Sequence, residues 1–262
     1  MKRVFKAVLL GCVLCTLSPA LAWAEGGASG NTELMKRAEQ LLSNYKESEA
    51  LRLFEQVLAE SPDNYEALCK ASLLHSRIGD RFMDETRKQE HFATAKELAK
   101  RAYELDPVDA EANFVMAVAL GANAMISGPK ERLQGIHQMK SFVDAALANN
   151  NHHAGAWYML GRWHFKMANL NFAEKAATKM FFGGVCGEAS NEMAAKAIEQ
   201  AIVYEPNNIR YYYDLASIYK EMKNTAACIS TLQKAQTLTL ETKEELELSR
   251  RCSILLQQQQ KL

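Results

Sequence analysis

The sequence predicts an all-α protein, a solenoid of about five helix–turn–helix repeats closed by a C-terminal helix. Three observations carry that prediction. From residue 31 onward the apolar residues recur at helical spacing, and the chain of 262 residues holds only five prolines. Three of those prolines stand in one context: "SPDN" (61–64), "DPVD" (106–109) and "EPNN" (205–208). Each follows one amphipathic segment and precedes another, so proline stops a helix and Asp or Asn caps the next. Finally, small and large residues return at the same offsets in successive units.

Those offsets are the tetratricopeptide pattern of 34 residues, with small residues at positions 8, 20 and 27 where helices touch and large ones between them. The first unit opens near Asn31 and sets Ala38, Ala50, Phe54, Val57 and Pro62 at positions 8, 20, 24, 27 and 32. The fifth opens near Ile209 with Tyr212, Leu215, Ala216, Tyr219, Cys228, Leu232 and Ala235. In the fourth, "AWYMLGRWHF" (156–165) gives Trp157, Leu160, Gly161 and His164 at positions 4, 7, 8 and 11. Position 32 falls at Pro62, Pro107, Asn151 and Pro206, so the middle three units are 11, 10 and 21 residues too long. Such insertions either lengthen the helices or project from one edge of the stack. The tail "ETKEELELSRRCSILLQQQQKL" reads as the closing helix, with Leu246, Leu248, Ile254 and Leu255 as its apolar residues.

The N-terminus has another character. "MKRVFK" is basic, "AVLLGCVLCTLSPALA" is apolar, and small residues at Ala22 and Ala24 end the run. Residues 1–24 are therefore expected to be a secretory signal peptide cut before Glu25. Residues 25–30 would be a flexible lead-in and 31–262 the repeat domain. The chain would be exported, periplasmic or secreted, with no transmembrane span once the signal is removed. Its removal leaves 28 basic against 31 acidic residues, a balance that gives no reason to expect nucleic acid.

The order of the insertions resembles the regulator of microtubule dynamics family. The matching stretches are 95–121 ("AKELAKRAYELDPVDAEANFVMAVALG"), 128–150, 153–183 and 194–222. Among them, Leu-Gly-Arg-Trp followed by "FFG" is the most specific. The resemblance implies a tetratricopeptide fold. Eukaryotic members are linked to microtubules, and one subgroup to organelle contacts and phospholipid; an export signal does not fit microtubules as a partner.

No catalytic or nucleotide-binding motif is present: HExxH, GxSxG, Walker A and zinc-spaced cysteine pairs are all missing. No cofactor or metal is expected. His152 and His153 lie in an inter-repeat turn and read as solvated, and "FFGGVCG" (181–187) reads as an insertion turn. If the last two helices form a hairpin turning near residue 240, Cys228 lies level with Cys252, so a disulfide there is geometrically possible.

The concave face is the default binding surface of this fold. Its positions hold Cys69, Leu73 and Arg77, then Phe114, Val118 and Ala122, then Tyr158, Arg162, Phe165 and Lys166, then Arg210, Tyr213, Ser217, Lys220 and Glu221. The asparagine clamp of chaperone-type repeats is absent, because position 9 is Leu73, Val118, Arg162 and Ser217. Phe114, Tyr158 and Tyr213 would cover an extended chain, and Arg162, Lys166, Arg210 and Lys220 would receive a carboxylate or phosphate. Against this, the insertion could fill the groove with Met180, Phe181 and Phe182, and Glu174 could neutralise the arginine. The expected function is a non-enzymatic exported scaffold for a protein or peptide. The alternative is lipid or small-amphiphile binding in a groove that the insertions close.

Overall fold

The computed structural model describes residues 20–182 and 188–261, and every regular element in them is an α-helix. In chain order these are α1 (Ala20–Ser43), α2 (Glu47–Glu60), α3 (Tyr65–Arg81), α4 (Glu85–Leu105), α5 (Ala110–Ile126) and α6 (Pro129–Asn149). Then follow α7 (Ala154–Ala168), α8 (Phe172–Phe182), α9 (Asn191–Tyr204), α10 (Ile209–Glu221), α11 (Thr225–Ala235) and α12 (Lys243–Gln259). They pair as α1/α2, α3/α4, α5/α6, α7/α9 and α10/α11, with α12 against α10 and α11. This is the expected solenoid of five repeats with a closing helix.

Each proline turn works as its sequence predicts. Two residues after position 32, the side chains of Asn64, Asp109 and Asn208 cap α3, α5 and α10 by accepting backbone N–H groups of Ala67, of Glu111 and Ala112, and of Arg210. At the unit without proline the cap is His153, whose ring Nδ1 accepts the N–H of Ala156 at 3.2 Å. His153 is thus a helix cap and not merely a solvated turn residue. Its Nε2 meets Glu111 at 3.1 Å, which fixes the proton on Nε2.

The two shorter insertions lengthen helices: α3 and α5 have 17 residues and α4 and α6 have 21, against 13 and 11 for α10 and α11. The third insertion builds α8, which packs against α6. Ala38, Ala50, Phe54 and Val57 of the first repeat are wholly buried, as are Ala216, Cys228 and Leu232 of the fifth. Gly161 is small because α7 and α9 touch there: a Cβ would lie 2.5 Å from Ile198 Cγ1 and 3.0 Å from the Ala194 carbonyl oxygen.

Four expectations need correction. Residues 25–30 continue α1 and are not a separate flexible lead-in. Cys228 and Cys252 do share one core with Leu232, Leu248 and Leu255, but both are free thiols, so the bridge is not made. On α12 the buried face is Leu248, Cys252, Leu255 and Leu256, while Leu246 and Ile254 are exposed. Lastly, Met180 is 76% exposed and does not fill the groove. The side chains of Phe181 and Phe182, the turn around Cys186, and the basic and apolar start of the expected signal segment lie outside the described residues.

Candidate functional site

The fourth and fifth repeats bring their inner faces together with α12. Phe165 of α7, Tyr213, Ser217, Lys220 and Glu221 of α10, and Arg251, Ile254, Leu255 and Gln258 of α12 line one recess of about 420 Å³, partly open to solvent. All five lining residues from α7 and α10 are among those that repeat position assigns to the concave face. The described part of α8 contributes nothing to this recess. A second recess of about 270 Å³ lies between α9, α10 and α11, lined by Tyr212, Tyr219 and Lys234 among others.

Beside the first recess the side chains are organised around Tyr158. Its hydroxyl donates to Asp214 Oδ2 at 2.6 Å, and its ring stacks on Tyr211 with centroids 4.7 Å apart. Tyr211 in turn donates to Glu205 at 2.8 Å. Burial and the Asp214 carboxylate push the Tyr158 phenol well above its ordinary range, so it stays a neutral donor. Arg162 lies with Cζ 5.7 Å from the Tyr158 ring centroid, at the outer range of a cation–π contact. The electrostatics of Tyr158, then of Asp214 and Asp80, hold its guanidinium charged against the cost of burial. Protein surrounds Arg162 inside the concavity, yet water still reaches it.

The other expected residues separate into two groups. Arg210 and Lys220 are exposed and form no ion pair among the described residues, and the same holds for Arg162. Lys166 is committed: its Nζ meets Glu174 Oε1 at 2.6 Å, and that contact holds the Glu174 carboxyl below the usual range. Glu174 therefore neutralises Lys166, not Arg162. Phe114 is turned away into packing. It lies 4.4 Å from the His153 ring, and a Cβ on Gly155 would reach within 2.6 Å of its Cζ. Of the three aromatic residues expected to cover an extended chain, Tyr213 alone lines the recess.

The N-terminal half of the concave face is different. Arg77 meets Glu47 at 2.8 Å, and Arg81 bonds both Glu47 and, through Nε at 2.6 Å, Glu244 of α12. The Tyr45 hydroxyl donates to Glu241 just before α12. Arg77 and Arg81 are thus paired, whereas Arg162 of α7 and Arg210 and Lys220 of α10 form no ion pair among the described residues.

Repeat position could not supply Tyr211, Asp214 or the residues of α12. A signal for the last existed: Arg251, Ile254 and Gln258 follow the helical spacing of one face. Among the described residues, no group of three or more His, Cys, Asp or Glu side chains is arranged to hold a metal ion. No described helix is long and apolar enough to cross a membrane.

Comparison with known proteins agrees with this architecture. Among solved structures, a thermophilic TPR protein of Thermus thermophilus superposes with a TM-score of 0.63 over 87% of this chain and 99% of that one, at 19% identity. Regulator of microtubule dynamics protein 3 of Xenopus laevis is 23% identical over 219 residues, 84% of this chain and 45% of that protein. Protein 2 of Homo sapiens is 24% identical over 82% of this chain and 52% of its own length. The chain therefore spans about half the length of these curated relatives. The profile described as Regulator of microtubule dynamics protein 1-3 matches residues 34–260, which is most of the chain. With its five repeats, stretched middle units and closing helix, the chain belongs to the regulator of microtubule dynamics family.

Proposed function

We propose that this chain is an exported, non-enzymatic scaffold that holds a protein or peptide partner in its concave face. The tetratricopeptide fold supports an interaction scaffold. The observation that carries the finer reading is the recess between α7, α10 and α12, where Phe165, Tyr213 and Ile254 supply apolar surface beside Lys220, Glu221 and Gln258. An open recess with alternating apolar and charged walls suits the side chains of an extended peptide. A lipid tail would call for an enclosed apolar cavity. Arg162 and Arg210, each about one helical turn before the lining residues Phe165 and Tyr213 and without an ion pair among the described residues, are the groups available to anchor a carboxylate. Export rests on the sequence of residues 1–24 alone.

A photo-reactive residue at Ser217, which lines the recess, tests this reading in the native host. A discrete protein adduct is expected, and it should vanish in the double variant R162E/R210E while the helical circular dichroism is unchanged. An adduct that survives both reversals, or no adduct at Ser217, would count against the groove. Mature protein in the envelope or medium beginning at Glu25 is the matching expectation for export.

A further inference from the structure

Helix α8 presents its apolar side the wrong way for a simple packing element. Phe172 is 89% and Met180 76% exposed, and both lie on one face, eight residues or about 12 Å apart along the helix. Ala173 and Ala176 between them are exposed as well. The opposite side is the one tied down: Thr178 is buried, and Glu174 pairs with Lys166 of α7. Lys175 and Lys179, both exposed and one turn apart, run along one flank of the apolar stripe. The repeat stack does not require this helix, because α7 and α9 pack on each other directly.

We propose that α8 is a second docking surface, separate from the concave groove, and that it takes an acidic amphipathic helix of another protein. Two large side chains with alanines between them form knobs with a hole, the relief into which a facing helix inserts a Leu, Ile or Met. The lysine pair on one flank selects a partner with Asp or Glu one turn apart on the matching flank. A second copy of this chain fits poorly: in an antiparallel two-fold pair the lysines of both copies fall on the same edge and repel. A membrane surface would use a broader apolar face than one stripe two large residues long.

The test is selection of a phage-displayed library of single helices, randomised on one face, against the full chain. Enrichment of Leu, Ile or Met at helical spacing with Asp or Glu on one flank is expected. A selected peptide should lose at least about tenfold in affinity to F172A, to M180A and to the pair K175E/K179E. The same peptide should bind R162E/R210E unchanged, which separates this surface from the groove. Selected helices indifferent to the α8 substitutions, or without an acidic flank, would overturn the proposal. So would pelleting with phosphatidylserine vesicles that F172A abolishes, which would assign α8 to a membrane. A dimer that light scattering detects and M180A dissolves would assign it to a second copy.

Discussion

Arg81 at the end of α3 and Glu244 in the first turn of α12 form an ion pair with Nε 2.6 Å from Oε1. The same guanidinium bonds Glu47 of α2, and Tyr45 in the α1–α2 turn bonds Glu241. The last helix and the turn before it are thus clipped to the first two repeats by side-chain bonds. Both partners of the Arg81–Glu244 pair are about half exposed, so solvent screening limits it to roughly 0–1 kcal/mol of stability. Its consequence is shape. E244K should leave the melting temperature nearly unchanged but open the spiral, which X-ray scattering reads as a larger radius of gyration. High salt should expand the wild type in the same direction. Identical scattering curves for wild type and variant would mean that the stack holds its curvature without the clip.

Gly161 is the tightest helix crossing in the fourth repeat. An alanine there would press Ile198 and the Ala194 carbonyl, and neither is the free end of a flexible chain. G161A should therefore cost about 1–3 kcal/mol, read as a lower urea midpoint with an unchanged slope. An unaltered midpoint would show slack between α7 and α9.

The contrast between Gly161 and Trp163 explains what was legible in the sequence. Gly161 lies at a position where every such repeat needs a small residue, because two helices of one unit meet there. Trp163 lies two residues on and is 2% exposed, although no repeat position demands it. It is buried against the preceding unit, where Lys140 of α6 stands 5.1 Å over its ring. Contacts within a unit repeat and can be read, whereas contacts between units depend on side chains that the repeat leaves free. The same holds at the groove. Tyr213 and Lys220 follow from repeat position, but the bond from Tyr158 to Asp214 crosses units and depends on how the repeats rotate on each other.

Two buried histidines give the fold a defined acid sensitivity. Burial lowers the His75 imidazole from 6.5; Glu55 opposes that shift and His91, 2.9 Å away, adds to it. Burial, with Lys140 adding, lowers His164 as well, and its Nδ1 has no partner. Since both folded-state values lie below the unfolded one, the unfolded chain takes up protons first. Stability is then complete above about pH 6.5 and falls as the pH drops through that value. The melting temperature should be lower at about pH 5.5 than at about pH 7.5. His164 occupies a position where the repeat prefers an aromatic ring. H164F removes the unpartnered nitrogen, so it should flatten the pH dependence and hold or raise stability by about 1 kcal/mol at neutral pH. A steeper fall in acid would assign His164 a bonded role that its surroundings do not contain.

Cys228 and Cys252 lie in one apolar core as thiols, and burial raises both, Cys252 to about 11. Thiolate is the reactive form, so two effects act together in the native state: little ionisation and no access. Iodoacetamide at about pH 8 should leave both residues unmodified in the folded protein over minutes. After unfolding without reductant, both should be alkylated, and the peptides carrying them should separate in a non-reducing digest. A linked Cys228–Cys252 peptide would show instead that oxidation draws α11 and α12 together. In that case C228S and C252S would each cost as much stability as the double variant, because removing either sulfur breaks the same bond. If the thiols are free, each serine leaves a hydroxyl in an apolar core, and the two penalties should add to the extent that the residues do not share contacts.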